Sequence, residues 1–72
     1  MKKVILEFTL GGHKHTYYRR TNVFGEVVTT TNKNSAKLIK ESEVPTLVKK
    51  LITQYGKENV GDIKPIDNDD LQ

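Results

Sequence analysis

The stretch Val4-Ile5-Leu6-Glu7-Phe8-Thr9-Leu10-Gly11-Gly12-His13-Lys14-His15-Thr16-Tyr17-Tyr18-Arg19-Arg20-Thr21 decides how the fold is read. Val4, Leu6, Phe8 and Leu10 alternate with Ile5, Glu7 and Thr9, the period-two pattern of a half-buried strand. Gly11-Gly12 accepts the positive φ angles of a tight hairpin turn, and His13 to Thr21 reads as the returning strand. A two-residue loop sets Leu10 opposite His13, Phe8 opposite His15 and Leu6 opposite Tyr17. On that register Tyr17 shares the buried face with Leu6 and Phe8. Lys14, Thr16, Tyr18 and Arg20 then lie on the other face, so Tyr18 is expected to be exposed.

Outward from the hairpin, Thr21-Asn22 reads as a turn that Gly25 closes, and Glu26 to Thr31 as a β-branched third strand. Asn32 to Ser35 is a loop, with Asn34 or Ser35 placed to cap a short helical turn over Ala36 to Ile39. The main helix is expected to start at Ser42 as N-cap, with Pro45 tolerated in its first turn. Val44, Leu47, Val48, Leu51, Ile52 and Tyr55 recur at helical spacing as one apolar stripe, with Lys49, Lys50, Thr53 and Gln54 on the solvent side. Gly56 ends it where a left-handed residue is wanted. Val60 to Ile66 is a final strand, and Pro65 marks it as an edge or a strand end. The fold class is therefore α+β: a small, mainly antiparallel β-β-β-α-β sheet with one long amphipathic helix on one face. Residues 1–66 make one domain, and 67–72 a flexible acidic tail.

Composition narrows the function classes. Seventy-two residues leave no room for a second core, and a chain this short buries only about 60% of its unfolded surface. Function on an outer surface fits better than a deep cleft. There is no cysteine, hence no disulfide, thiolate nucleophile or thiolate metal ligand, which suits a reducing cytoplasm. The apolar run after Lys2-Lys3 is cut by Glu7 and ends at Gly11-Gly12, too short for a secretory or membrane-spanning segment. No membrane partner is expected. Through Lys64 twelve Lys or Arg stand against six acids, a net of +6, and Asp67, Asp69 and Asp70 follow. A basic body thus precedes acidic residues, and such a body attracts polyanions.

The order hairpin, third strand, Ala-Lys turn, amphipathic helix and closing strand resembles small accessory proteins of bacteriophages that infect Gram-positive bacteria. The matching stretches are Val4 to Leu10, Glu26 to Thr31, Ser35-Ala36-Lys37-Leu38, Val44 to Tyr55 and Val60 to Ile66. The resemblance implies a non-enzymatic protein acting in the host cytoplasm. It also implies a host protein or protein–nucleic acid complex as partner, as in anti-CRISPR and other anti-defence proteins.

The residues themselves supply these candidates. Tyr17-Tyr18-Arg19-Arg20 mixes aromatic and cationic groups, the chemistry of protein-binding hot spots and of single-strand nucleic-acid surfaces. Lys14, Tyr18, Arg19 and Arg20 are the expected partner-binding residues; direct nucleic-acid binding through them is the alternative. His13 and His15 sit at metal-ligand spacing but lack a third histidine or a cysteine, so no metal or other cofactor is expected. Lys33, Lys37, Lys40, Lys49 and Lys50 suggest a second basic stripe, which helical solvent faces commonly show. Asp67-Asn68-Asp69-Asp70 would mimic phosphates or serve as an inert tail. Glu7 and Glu26 read as ordinary exposed strand residues. No nucleophile and base pair or phosphate-cradling loop stands out, so no enzymatic activity is expected.

Overall fold

Strand β1 (Lys3–Leu10) is central to the sheet in the computed structural model, which describes residues 3–67. β2 (His13–Thr21) returns from it, and β3 (Val27–Thr30) follows β2. β4 (Ile39–Lys40), helix α1 (Val44–Tyr55) and β5 (Val60–Asp67) complete the order. All pairings are antiparallel: the path runs β3-β2-β1-β4, and β5 also pairs with β1. This is the α+β layout expected, with one further two-residue strand.

The hairpin turn forms as its glycines require. Gly11 and Gly12 have φ of +57° and +85°, and Leu10 faces His13. Beyond that pair the register departs from the simple hairpin. Phe8 faces Thr16, not His15, and Glu7 faces Tyr17 in place of Leu6. Between these pairs β1 has one residue, Thr9, whereas β2 has two, Lys14 and His15. That extra residue is a β-bulge, and His15 takes φ +63° to accommodate it. The Thr16 hydroxyl donates to the His13 carbonyl at 3.0 Å and braces the detour.

A one-residue shift moves every later side chain to the opposite face. Tyr18, expected in solvent, is only 5% exposed and joins the core with Val4, Leu6, Phe8, Val27, Ile39, Leu47 and Leu51. Its hydroxyl meets the Thr21 hydroxyl at 2.8 Å, which satisfies the polar end of a buried ring. Tyr17 is equally buried, but on the face away from the helix, opposite Glu7.

β1 and β2 part beyond Glu7 and Tyr17, and the chain after β3 fills the gap. The Lys37 amide donates to the Tyr18 carbonyl at 3.0 Å, and Ile39 pairs with Val4. The helical turn expected over Ala36 to Ile39 lies earlier instead. A 3-10 turn spans Lys33–Ser35, capped by Asn32, whose side chain accepts from the Asn34 amide at 3.0 Å. Ile39 is β-branched and apolar, and burying it in the sheet satisfies both properties.

A 3-10 turn at Glu41–Glu43 leads into α1, with Pro45 in the first turn. Ser42 therefore lies inside this turn and does not cap the helix. Leu47 and Leu51 are buried, and Val44 and Tyr55 pack at the edge of the same core. Gly56 ends the helix with φ +94°, its amide donating to the Ile52 carbonyl at 2.9 Å. Gln54, expected to be a solvent residue, reaches across to β3. Its side-chain oxygen accepts from the Val27 amide at 2.7 Å, and its side-chain nitrogen donates to the Val27 carbonyl at 3.0 Å. This pairing occupies the backbone of Val27 much as a neighbouring strand would.

β5 ends at Asp67, opposite Val4, so Asp67 belongs to the sheet and not to a tail. The rest of the proposed acidic tail, residues 68–72, lies outside the described residues. Leu51 is wholly buried, so Leu51→Ala is expected to lower unfolding stability by about 2–5 kcal/mol. Tyr18→Ala should cost about 3–5 kcal/mol, the range for truncating a buried aromatic. Urea denaturation midpoints check both, and an unchanged midpoint for Tyr18→Ala would contradict the bulged register.

Candidate interaction surfaces

The helix covers one face of the sheet, and register defines the other. Glu7 faces Tyr17 on β2 and Lys64 on β5, so these three share the outer face. Tyr17 faces Thr30, and Arg20 faces Val28 two residues away on β3, which sets Arg20 on the same face. A second bulge in β2 accommodates Arg19, between the Tyr18–Thr29 and Arg20–Val28 pairs. Lys14, Arg19, Arg20 and Lys64 are all exposed. Three of the four expected partner-binding residues therefore stand in solvent, and the fourth, Tyr18, is a core residue.

Glu7 was expected to be an ordinary exposed residue, yet it is only 7% exposed. Its Oε2 lies 3.3 Å from His15 Nδ1 and its Oε1 lies 3.3 Å from Lys64 Nζ; the Tyr17 side chain also hydrogen-bonds to it. Burial pushes the carboxyl group up. The hydrogen bonds from Tyr17, His15 and Lys64, together with the Lys64 charge, outweigh burial and hold it below its ordinary value. Burial, and then the neighbouring Glu7, raises the Tyr17 hydroxyl above its ordinary value. A lone carboxylate in the middle of an apolar run, with Ile5 at the same strand parity, was the available sequence signal.

An open hollow of about 390 Å³ lies over this network, with Thr9, Lys14, His15 and Asp62 among its walls. Asp62 sits at a bulge in β5 and has φ +48°; the Thr9 hydroxyl donates to its Oδ2 at 3.4 Å. The expected histidine pair is divided by the β2 bulge, and His15 turns to Glu7. Among the described residues no group of three or more His, Asp or Glu side chains is placed to hold a metal. The lysines expected to form a second stripe, Lys33, Lys37, Lys40, Lys49 and Lys50, are all exposed.

A second surface was missed in the sequence. The turn between β2 and β3 presents Val23 and Phe24 at 95% and 83% exposure. Asn22 builds this turn: its side-chain oxygen accepts from the amides of Phe24 and Glu26, both at 2.9 Å. Its Nδ2 donates to Glu26 Oε1 at 3.1 Å, and its own amide donates to the Glu26 carbonyl at 2.9 Å. Gly25 closes the turn at φ +81°. Two adjacent apolar residues between turn-formers Asn22 and Gly25 were the legible sign. Beside the turn, a hollow of about 500 Å³ is walled by Gly25, Glu26 and the α1 residues Thr46, Lys49, Lys50, Thr53 and Gln54.

No helix among the described residues is long and apolar enough to cross a membrane. No family model, curated protein or solved structure matches the chain.

The Glu7 network makes a pH prediction. A carboxylate whose folded-state pKa lies below its unfolded value stabilises the fold above that unfolded value. The contribution is lost as pH falls through the folded value. Wild type should therefore lose stability below about pH 4.5 more steeply than Glu7→Gln. Urea midpoints measured from pH 7 to 3 check this, and parallel curves would show that Glu7 is not held as described.

Proposed function

We propose that this chain is a non-catalytic binding protein that docks on an acidic surface of a macromolecular partner through its bare sheet face. The observation that carries the reading is the charge arrangement on that face. Lys14, Arg19, Arg20 and Lys64 project into solvent, while of the two acids lining the hollow Glu7 is buried and hydrogen-bonded to Tyr17, His15 and Lys64, which leaves the exposed Asp62 against four cations. Such a surface steers an anionic partner and discriminates against basic ones. The layout resemblance to phage accessory proteins points to a partner in the host cytoplasm, such as a defence nuclease, with inhibition by steric cover.

A protein partner is favoured over a single-stranded nucleic acid for a specific reason. Non-specific strand binding combines a cationic groove with exposed rings on which bases stack. Tyr17 and Tyr18 are both buried, so neither ring of the Tyr-Tyr-Arg-Arg stretch is available for stacking. Pairing along a sheet edge is likewise disfavoured. Gln54 occupies the Val27 backbone on β3, and β5 carries the Asp62 bulge and Pro65.

Arg19→Ala with Arg20→Ala should weaken binding to a partner captured from nuclease-treated bacterial lysate by at least about tenfold, without moving the urea midpoint. Calorimetry at two salt concentrations measures it, and wild-type affinity should fall as salt rises. Unchanged affinity in the double variant would remove the sheet face from the interface. Retardation of single-stranded DNA at tens of micromolar protein, roughly the upper part of the non-specific range, would favour the nucleic-acid alternative if the double variant abolishes it.

A further inference from the structure

The Val23–Phe24 tip has no part in the sheet-face reading, yet it is the most exposed apolar feature among the described residues. Isolated apolar side chains on a surface need no explanation, but an adjacent pair on a turn fixed by the Asn22 hydrogen bonds is a preformed knob. Its neighbour is a recess. Gly25, which follows Phe24, is itself a wall of the hollow that Thr53, Lys49 and Lys50 line from α1, and about 500 Å³ is ample for a phenyl ring.

A knob beside a recess on one surface is what a two-fold pair requires. In an isologous contact the same patch serves both copies, so residue i of one meets residue j of the other and the reverse. The charges in the patch also complement one another on such rotation. Glu26 stands at the base of the knob, and Lys49 and Lys50 stand at the rim of the recess.

We propose that this patch is a self-association site, in which Phe24 of each copy seats in the recess of the other beside Thr53. Glu26 of each copy then meets Lys49 and Lys50 of its partner. The contact lies at the β2–β3 turn and the solvent side of α1, so it leaves Lys14 and Lys64 on the opposite face of the sheet free. A pair would present two basic faces, which raises avidity for a partner carrying two acidic patches. The proposal stands or falls independently of what the sheet face binds.

Sedimentation equilibrium of the purified chain tests it across about 10 μM to 1 mM, the range of weak association. The expected result is an average mass rising from 8.2 kDa towards twice that value with concentration. Phe24→Ala, and separately Thr53→Trp to fill the recess, should each shift the association midpoint at least tenfold higher. Both positions are exposed, and unchanged circular dichroism confirms that the fold survives. Because the chain has no cysteine, a Phe24→Cys protein mixed with a Thr53→Cys protein reports contact between copies directly. Oxidation should form that mixed disulfide well ahead of one between Phe24→Cys and Lys14→Cys. A monomer at every concentration, a dimer indifferent to Phe24→Ala, or equal cross-linking to both test positions would overturn the proposal.

Discussion

The structure depends on one extra residue in β2. Between the Leu10–His13 and Phe8–Thr16 pairs the returning strand carries Lys14 and His15 against the single Thr9. A matching bulge in β5, at Asp62, faces the other side of β1 between Glu7 and Thr9. Each bulge holds a non-glycine residue at positive φ, a conformation that costs on the order of 1–3 kcal/mol and that histidine and aspartate enter more readily than most. The outer face of β1 restrains both. Glu7 is 3.3 Å from His15, and Thr9 donates to Asp62 at 3.4 Å. Two polar residues of one strand thus tie down the strained residue on either side.

Everything on the outer face follows from that arrangement. The β2 bulge delivers Tyr17 to Glu7, and the β5 bulge permits Lys64 to reach the same carboxylate. A buried charge is tolerable only when paired and hydrogen-bonded, and Glu7 is both. With Ile5 and Tyr17 buried around it, this face is closed by its own side chains and needs no second helix. What remains in solvent, Lys14, Arg19, Arg20 and Lys64 beside the exposed Asp62, is net cationic, and that remainder is the proposed docking surface.

Much of the fold was legible because its signals are local. The glycine turn, the apolar stripe from Val44 to Tyr55 and the stop at Gly56 each state their own geometry. The bulge was not legible, because an inserted residue leaves the alternation on either side intact while exchanging the faces. Tyr17-Tyr18 offered no polar contrast to show which ring turns inward. The errors over Tyr18 and Glu7 are therefore a single error propagated along two strands. Gln54 escaped notice for a different reason: its partner, Val27, is distant in sequence and contributes only backbone atoms. At the candidate site the exposed cations were readable as composition, whereas the neutralised acid among them required the register.

The register is also where the account is most directly exposed to experiment. Cross-strand nuclear Overhauser effects in the isotopically labelled chain report which residues of β1 and β2 face one another. The account predicts contacts between the α-protons or amides of Glu7 and Tyr17, with the Tyr18 ring close to core methyl groups such as those of Leu6, Val27 and Leu51. Contacts pairing Leu6 with Tyr17, with the Tyr18 ring free of the core methyls, would contradict it.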